Sequence, residues 1–195
     1  MPAMTDILLT SERFVKDATS ISDNLAGKFL LPSIREVQET RLRDTLGAGL
    51  LEKVKSLIPT DPETHARPID EEANAIYKEL VDRAQYFLAY AAASEACMKT
   101  SFKLANTGVH RTTDEHTAAA SFDEVAKMKD YYVFKSDAFL RDLQRWLLAN
   151  ADAIPELNAC ACAAIRANLR SAASSGLWLG GARGKILPGG GGCCR

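Results

Sequence analysis

The residue types that carry catalysis are present in this chain, but not in working arrangements. His65, His110 and His116 are scattered through segments that read as loops and a turn. With no HExxH pair and no Cys-His signature, each reads as a surface histidine rather than a metal ligand or general base. Cys160-x-Cys162 and Cys193-Cys194 invite a zinc reading, because thiolates are good zinc ligands. Neither pair has the usual ligand spacing, and the second follows four glycines. Cys97 lies in an alanine-rich helical stretch and reads as a small buried hydrophobe. Gly189 to Gly192 lacks the GK[ST] ending and following helix of a phosphate loop. Glu71-Glu72 belongs to a helix start, where carboxylates meet the positive end of the helix dipole, rather than to an acid/base pair. The chain therefore reads as non-enzymatic, with no cofactor and no metal.

The chemistry that remains is the chemistry of docking. Residues 1–156 carry 19 Lys/Arg against 25 Asp/Glu, a balance of −6, whereas residues 157–195 carry five Lys/Arg and no acid, or +5. Within that basic end, Leu177, Trp178 and Leu179 form an apolar triplet between glycines, followed by Arg183, Lys185, Ile186 and Leu187. Such a segment is too glycine-rich to fold alone and too apolar to be an inert linker. Its three large residues read as anchors for a groove, and its cations as partners for acids. The plainer alternative is a solvated tail with no role.

The chain that must position this end has 195 residues, 47% hydrophobic and 25% charged, enough for one domain with a core and a tail. No run approaches the ~18 apolar residues of a membrane span, and the start lacks the basic and apolar regions of an export signal. Five cysteines without a framework spacing point to reduced thiols in a cytosol.

The organising stretch is Leu30 to Ile58. Leu30, Leu31, Ile34, Val37, Leu42 and Leu46 fall within one half of a helical wheel, opposite Arg35, Glu36, Glu39, Thr40 and Arg43. Pro32 suits a first turn, and Gly47 suits the position past a helix end. Leu50, Leu51, Val54, Leu57 and Ile58 form a second stripe, so the pair must fold back on something else. Residues 59–69 hold three prolines and read as a loop. A helix from Asp70 to about Ala96 buries Ile76, Leu80, Ala84, Phe87, Leu88 and Ala91, and its run from Ala89 to Ala93 admits close approach of another helix. Met98, Thr100, Phe102 and Leu104 then alternate with polar residues as a strand does, and Val109 to Arg111 returns after a turn at Asn106-Thr107-Gly108. One hairpin cannot support itself in water, so it must pack on the helices or on a neighbouring subunit. Ser121 and Glu124 fit a capping box, opening a helix with Val125, Met128, Tyr132, Phe139, Leu143, Trp146 and Leu147 along it, ending near Asn150. Residues 156–173 allow a fifth helix.

The expected fold is mainly α: a helical bundle of four to five helices with one small β-hairpin and an extended C-terminal tail. Residues 1–25 form an arm lying on the body or on a neighbour. Residues 26–155 form the helical body with its hairpin near 98–111, and 156–195 the alanine-rich segment and glycine-rich docking tail.

Several of these stretches, in this order, resemble the helical head–tail connector proteins of tailed phages, also termed adaptor or head completion proteins, and in particular their branch in phages of gut bacteria. The stretches are Ile34-Arg35-Glu36-Val37-Gln38, then Leu42 to Gly47, then Leu50 to Leu57. They continue through the helix with Tyr77, Leu80, Tyr86 and Tyr90, the Asn106-x-Gly108-Val109-x-Arg111 turn before the Ser121-capped helix, and the closing Ser175 to Gly181. The residues after Ile186 and the alanine-rich 156–173 region depart from that pattern. The resemblance implies a structural virion protein of the phage neck, assembled in the host cytoplasm. Such proteins form a homo-oligomeric ring, usually of twelve copies, beneath the portal of the DNA-filled head, where they extend the DNA channel and offer the tail a surface. The partners implied are further copies of the chain, the portal protein and other neck or tail proteins, near packaged DNA and away from membrane. The implied docking residues are Leu177, Trp178, Leu179, Arg183, Lys185, Ile186 and Leu187 in the tail. Phe102, Leu104, Val109 and Arg111 in the hairpin are the expected subunit contacts.

Two other classes fit the same composition. One is a cytosolic helical DNA-binding or regulatory protein using its basic end, against which stand the acidic body and the lack of a helix with clustered Arg/Lys. The other is a cytosolic scaffold presenting the tail to one partner. Oligomeric state separates them: a ring, or a chain that becomes one on a portal, against a stable dimer.

Overall fold

In the computed structural model, the residues described are 7–19, 21–58, 71–105, 108–111, 121–157 and 159–174, with side chains described for all of these except 71–73, 102–111, 159–161 and 170–174. The protein is mainly helical. Ser11 caps α1 (Glu12–Ala18) by accepting the Phe14 N–H. After a polar link, α2 (Gly27–Val37) runs into a π-turn (Gln38–Leu42) and α3 (Arg43–Leu46). Gly47, at φ +80°, makes the bend into α4 (Ala48–Leu57), a backbone setting that a Cβ would strain. The long helices are α5 (Glu71–Ser101), interrupted near its start by non-helical backbone at Asn74, and α6 (Phe122–Ala149). Strands β1 (Phe102–Ala105) and β2 (Gly108–Arg111) pair antiparallel between them, and α7 (Ala159–Ser174) closes the described chain.

The π-turn follows from a step in the sequence. From Leu30 through Ile34 to Val37 the apolar spacing suits an α-helix, but the next buried apolar residue is Leu42, five positions on. In a straight α-helix Leu42 and Leu46 would point about 120° and 160° away from Leu30. A π-turn absorbs one extra residue and brings them back into line. Leu30, Ile34, Val37, Leu42 and Leu46 are all buried.

α5 is the central element. It packs most extensively on α6, and also on α2 and α1. Leu80, Ala84, Phe87, Leu88 and Ala91 enter the larger core with Leu42, Leu46, Leu50, Leu51, Val54, Leu143 and Leu147. Ala89, Ala92 and Ala96, on another face, meet Val15, Leu30 and Ile34. A helix apolar on several faces must be surrounded, and alanine's small size lets α1 and α2 close on it. Cys162 and Ile165 of α7 complete the larger core.

Five sequence expectations need correction. Pro32 is in the interior of α2, because the helix begins at Gly27; it is exposed, where water can serve the carbonyl its ring leaves free. Leu31 is 41% exposed, since it lies one residue, about 100°, off the stripe. Met98 and Thr100 are helical rather than extended: α5 runs to Ser101, and the Thr100 hydroxyl donates to the Ala96 carbonyl at 2.9 Å. Cys97 is half-buried, because it turns toward Tyr132 and Lys129 rather than into the alanine face. Met128 is exposed, although it lies within about 60° of Val125 and Tyr132 on the helix, because α6 is not covered by described residues on that side near its start. The proline-containing loop of 59–69, the Asp70 cap, Asn106 and Thr107 lie outside the described residues.

Candidate assembly surface

The capping box fixes where α6 starts and hence which side chains face outward. Ser121 Oγ accepts from the Glu124 N–H at 3.2 Å, and Glu124 Oε2 accepts from the Ser121 N–H at 2.6 Å. Counted from there, Val125, Tyr132, Leu143 and Leu147 point inward and are buried. Met128, Tyr131 and Phe134, spaced by three, sweep about 120° from the edge of that inward face to its far side, at 49%, 48% and 66% exposure. These fractions decide the matter: three large apolar side chains, each about a turn from the next, keep about half or more of their surface in water. Charges border them. Lys127 pairs with Asp123 at 2.6 Å, and the Lys135 ammonium lies 5.8 Å from the Tyr131 ring centre. Aromatic residues and methionine ringed by charge have the composition of a protein–protein contact.

A ladder of rings ties this face to the interior. Tyr131 meets Tyr132 with centroids 5.5 Å apart, Tyr132 meets Tyr90 at 6.3 Å, and Tyr90 stacks on Phe139 at 5.3 Å. Phe139 stacks on Tyr86 at 5.5 Å, which meets Phe14 of α1 edge-on at 5.3 Å. Each such pair adds about 0.5–1.5 kcal/mol beyond burial, so the outward face is mounted on a stiff support. Burial pushes the Tyr132 phenol above its ordinary range, with Cys97, Tyr131 and Tyr90 adding to the effect.

A second feature, absent from the sequence reading, holds the N-terminal segment. Gln38, fully buried in the π-turn, accepts the Leu9 N–H at 2.8 Å and donates to the Ile7 carbonyl at 2.9 Å. Gln85 of α5 donates to the Leu9 carbonyl at 3.0 Å. Two amide side chains thus take the place of a neighbouring strand, and Leu9 is buried in the larger core. Of the expected arm, residues 7–19 pack on the body, and residues 1–6 lie outside the described residues. The signal was the five-residue step from Val37 to Leu42, with a glutamine at its start.

Of the residues expected to dock partners, Leu177, Trp178, Leu179, Arg183, Lys185, Ile186 and Leu187 lie outside the described residues. For the hairpin, the backbone register sets Phe102 opposite Arg111 and Leu104 opposite Val109; their side chains are outside what is described. Cys162 is buried and Cys97 half-buried, and burial raises the Cys97 thiol above its usual range, partly offset by Lys129. Among the described residues no three His, Cys, Asp or Glu side chains gather as a metal site. No described helix is long and apolar enough to cross a membrane.

Comparison with curated proteins and with solved structures returns no match. A family profile does match, over residues 42–167, from the last residue of the π-turn into α7. That span covers most of the chain and holds α3 to α6, the ring ladder from Tyr86 to Tyr131 and the outward face of α6. The chain belongs to DUF6712, a family of unknown function.

Proposed function

We propose that this chain is a structural virion protein of a tailed-phage neck, forming a ring that joins the portal of the head to the tail and extends the DNA channel. The observation that carries the reading is the exposed series Met128, Tyr131 and Phe134, apolar area that contact with a neighbouring copy would remove from water. The ordered motifs from Ile34 to Gly181 supply the kind of assembly. In this reading the helices form a bundle of non-enzymatic character, and the hairpin with Phe102, Leu104, Val109 and Arg111 contacts the next subunit. The tail extends, with Leu177, Trp178 and Leu179 as its anchors on the portal. Part of the tail's binding energy is lost to its ordering, and the multivalency of a ring offsets that loss.

Electron microscopy of the purified chain, alone and mixed with the portal of the same phage, tests the reading. Rings are expected in at least the second sample. A chain that stays a single copy in both, or that forms only a stable dimer binding duplex DNA with steep salt dependence, overturns it.

A further inference from the structure

The N-terminal segment is seated by side-chain amides that bond its main chain. Its polar contacts are all to main chain: Gln38 takes the Leu9 N–H and gives to the Ile7 carbonyl, and Gln85 gives to the Leu9 carbonyl. Its apolar contacts are one buried side chain, Leu9, with Ile7 packed beside it in the larger core and Leu8 against the smaller one. An extended segment read in this way is recognised as an added strand is, by backbone hydrogen bonds and one pocket. Nothing in those contacts distinguishes the segment of this copy from that of another.

The joint between the clamped segment and the rest of the chain is poorly satisfied. Thr10 lies between Leu9 in the slot and Ser11 capping α1, and it is buried. Its Oγ1 is the buried side-chain polar atom without a hydrogen-bond partner among the described residues. Closing the segment onto its own body therefore carries a desolvation penalty at Thr10. Helix α1 itself is held separately, by Val15 in the smaller core and Phe14 against Tyr86. Leu8 touches that smaller core as well, a contact that exchange gives up in one copy and remakes in the other.

We propose that the slot binds the Ile7–Thr10 segment of a second copy, so that neighbouring copies are linked by exchanged arms pivoting at Thr10. In the exchanged form the same main-chain bonds are made, and straightening the joint exposes the Thr10 hydroxyl to water. Exchange of an identical element is a low-cost route to association. Four extended residues reach about 13 Å, so the slot of one copy must lie beside Ser11 of the next. The inference concerns how copies are linked and does not require that they be linked in a phage neck.

The test uses two full-length variants with complementary defects. Leu9→Glu spoils the arm and leaves the slot, whereas Gln38→Leu with Gln85→Leu spoils the slot and leaves the arm. Each is tagged and used to capture itself or the other. Capture of one variant by the other should exceed either self-capture by about tenfold, the effect of losing two or three backbone-directed hydrogen bonds. Equal capture in all three combinations overturns the exchange. Should a variant lose its helical circular dichroism, Leu9→Ala and Gln38→Ala are crossed in the same way with the same two outcomes. Portal-bound rings with equal capture would remove the exchange and leave the neck reading standing; selective capture without portal binding would do the reverse.

Discussion

Single side chains in this protein are informative where burial and bonding disagree. Thr10 is buried with a hydroxyl that bonds to nothing described, so Thr10→Val keeps the shape and removes an unmet polar group. A gain of about 1 kcal/mol is expected, read as a higher midpoint in chemical denaturation; a loss of stability would mean the hydroxyl is satisfied. Glu39 shows the converse. Burial alone would raise its pKa, but the hydrogen bonds from Lys55 (2.6 Å) and Gln38 and the charges of Lys55 and Arg43 outweigh it, and the carboxyl lies below its ordinary 4.5. A folded-state pKa below the unfolded one means that the unfolded chain takes up the proton first. Glu39 therefore stabilises the fold above pH ~4.5, and the contribution drains away as pH falls through the depressed value. The Glu39→Gln variant should lose stability at neutral pH and converge on the parent in acid. Parallel curves of stability against pH would exclude this role. The sequence put Glu39 correctly on the solvent side of its helix but could not give its partner, since Lys55 lies sixteen residues on and meets it only because Gly47 turns α4 back.

Helices here carry more of their register in the sequence than strict α-periodicity suggests. The step of five from Val37 to Leu42 is visible in the chain, and a stripe spread over a full half-wheel was its trace. What the sequence leaves open is whether the helix widens or ends there. The core decides, because Leu42 and Leu46 belong with Leu50, Phe87 and Leu143, and a straight helix would carry them away. The π-turn thus predicts asymmetric behaviour. Deleting exposed Thr40 should restore α-helical spacing with Leu42 and Leu46 still inward, and the variant should unfold cooperatively. Inserting an alanine after Thr40 rotates both leucines by about 100° and should abolish cooperative unfolding, since burying each contributes about 1.5–3 kcal/mol. Equal damage from deletion and insertion would show that the turn has no such phasing role.

At the scale of the molecule, the proposed assembly draws on residues other than those of the core. Met128, Tyr131 and Phe134 are exposed on α6, so Tyr131→Ser with Phe134→Ser should leave thermal stability close to the parent while weakening the proposed self-association, measured by sedimentation. Destabilisation by several kcal/mol would place that face inside the fold. On the proposed neck reading, removing residues 176–195 should leave the helical body intact and abolish attachment to a portal. Within the tail, Trp178→Ala should weaken attachment more than Arg183→Ala, because buried aromatics dominate interface energetics while rim charges contribute about 1 kcal/mol or less. Equal effects in a pull-down would contradict that order.

By itself the sequence determined the helical class, the capping box at Ser121, the end of α6 at Asn150 and most of the core, since these are set by spacing and local chemistry within a few residues. It also marked the turn of the chain at Gly47. Tertiary structure alone decided that Gln38 and Gln85 seat the N-terminal segment, that Met128 faces water, and that rings from α1, α5 and α6 form one ladder. Those outcomes join residues as far as 76 positions apart, and no local pattern encodes which distant backbone will fall within hydrogen-bonding reach of a buried amide.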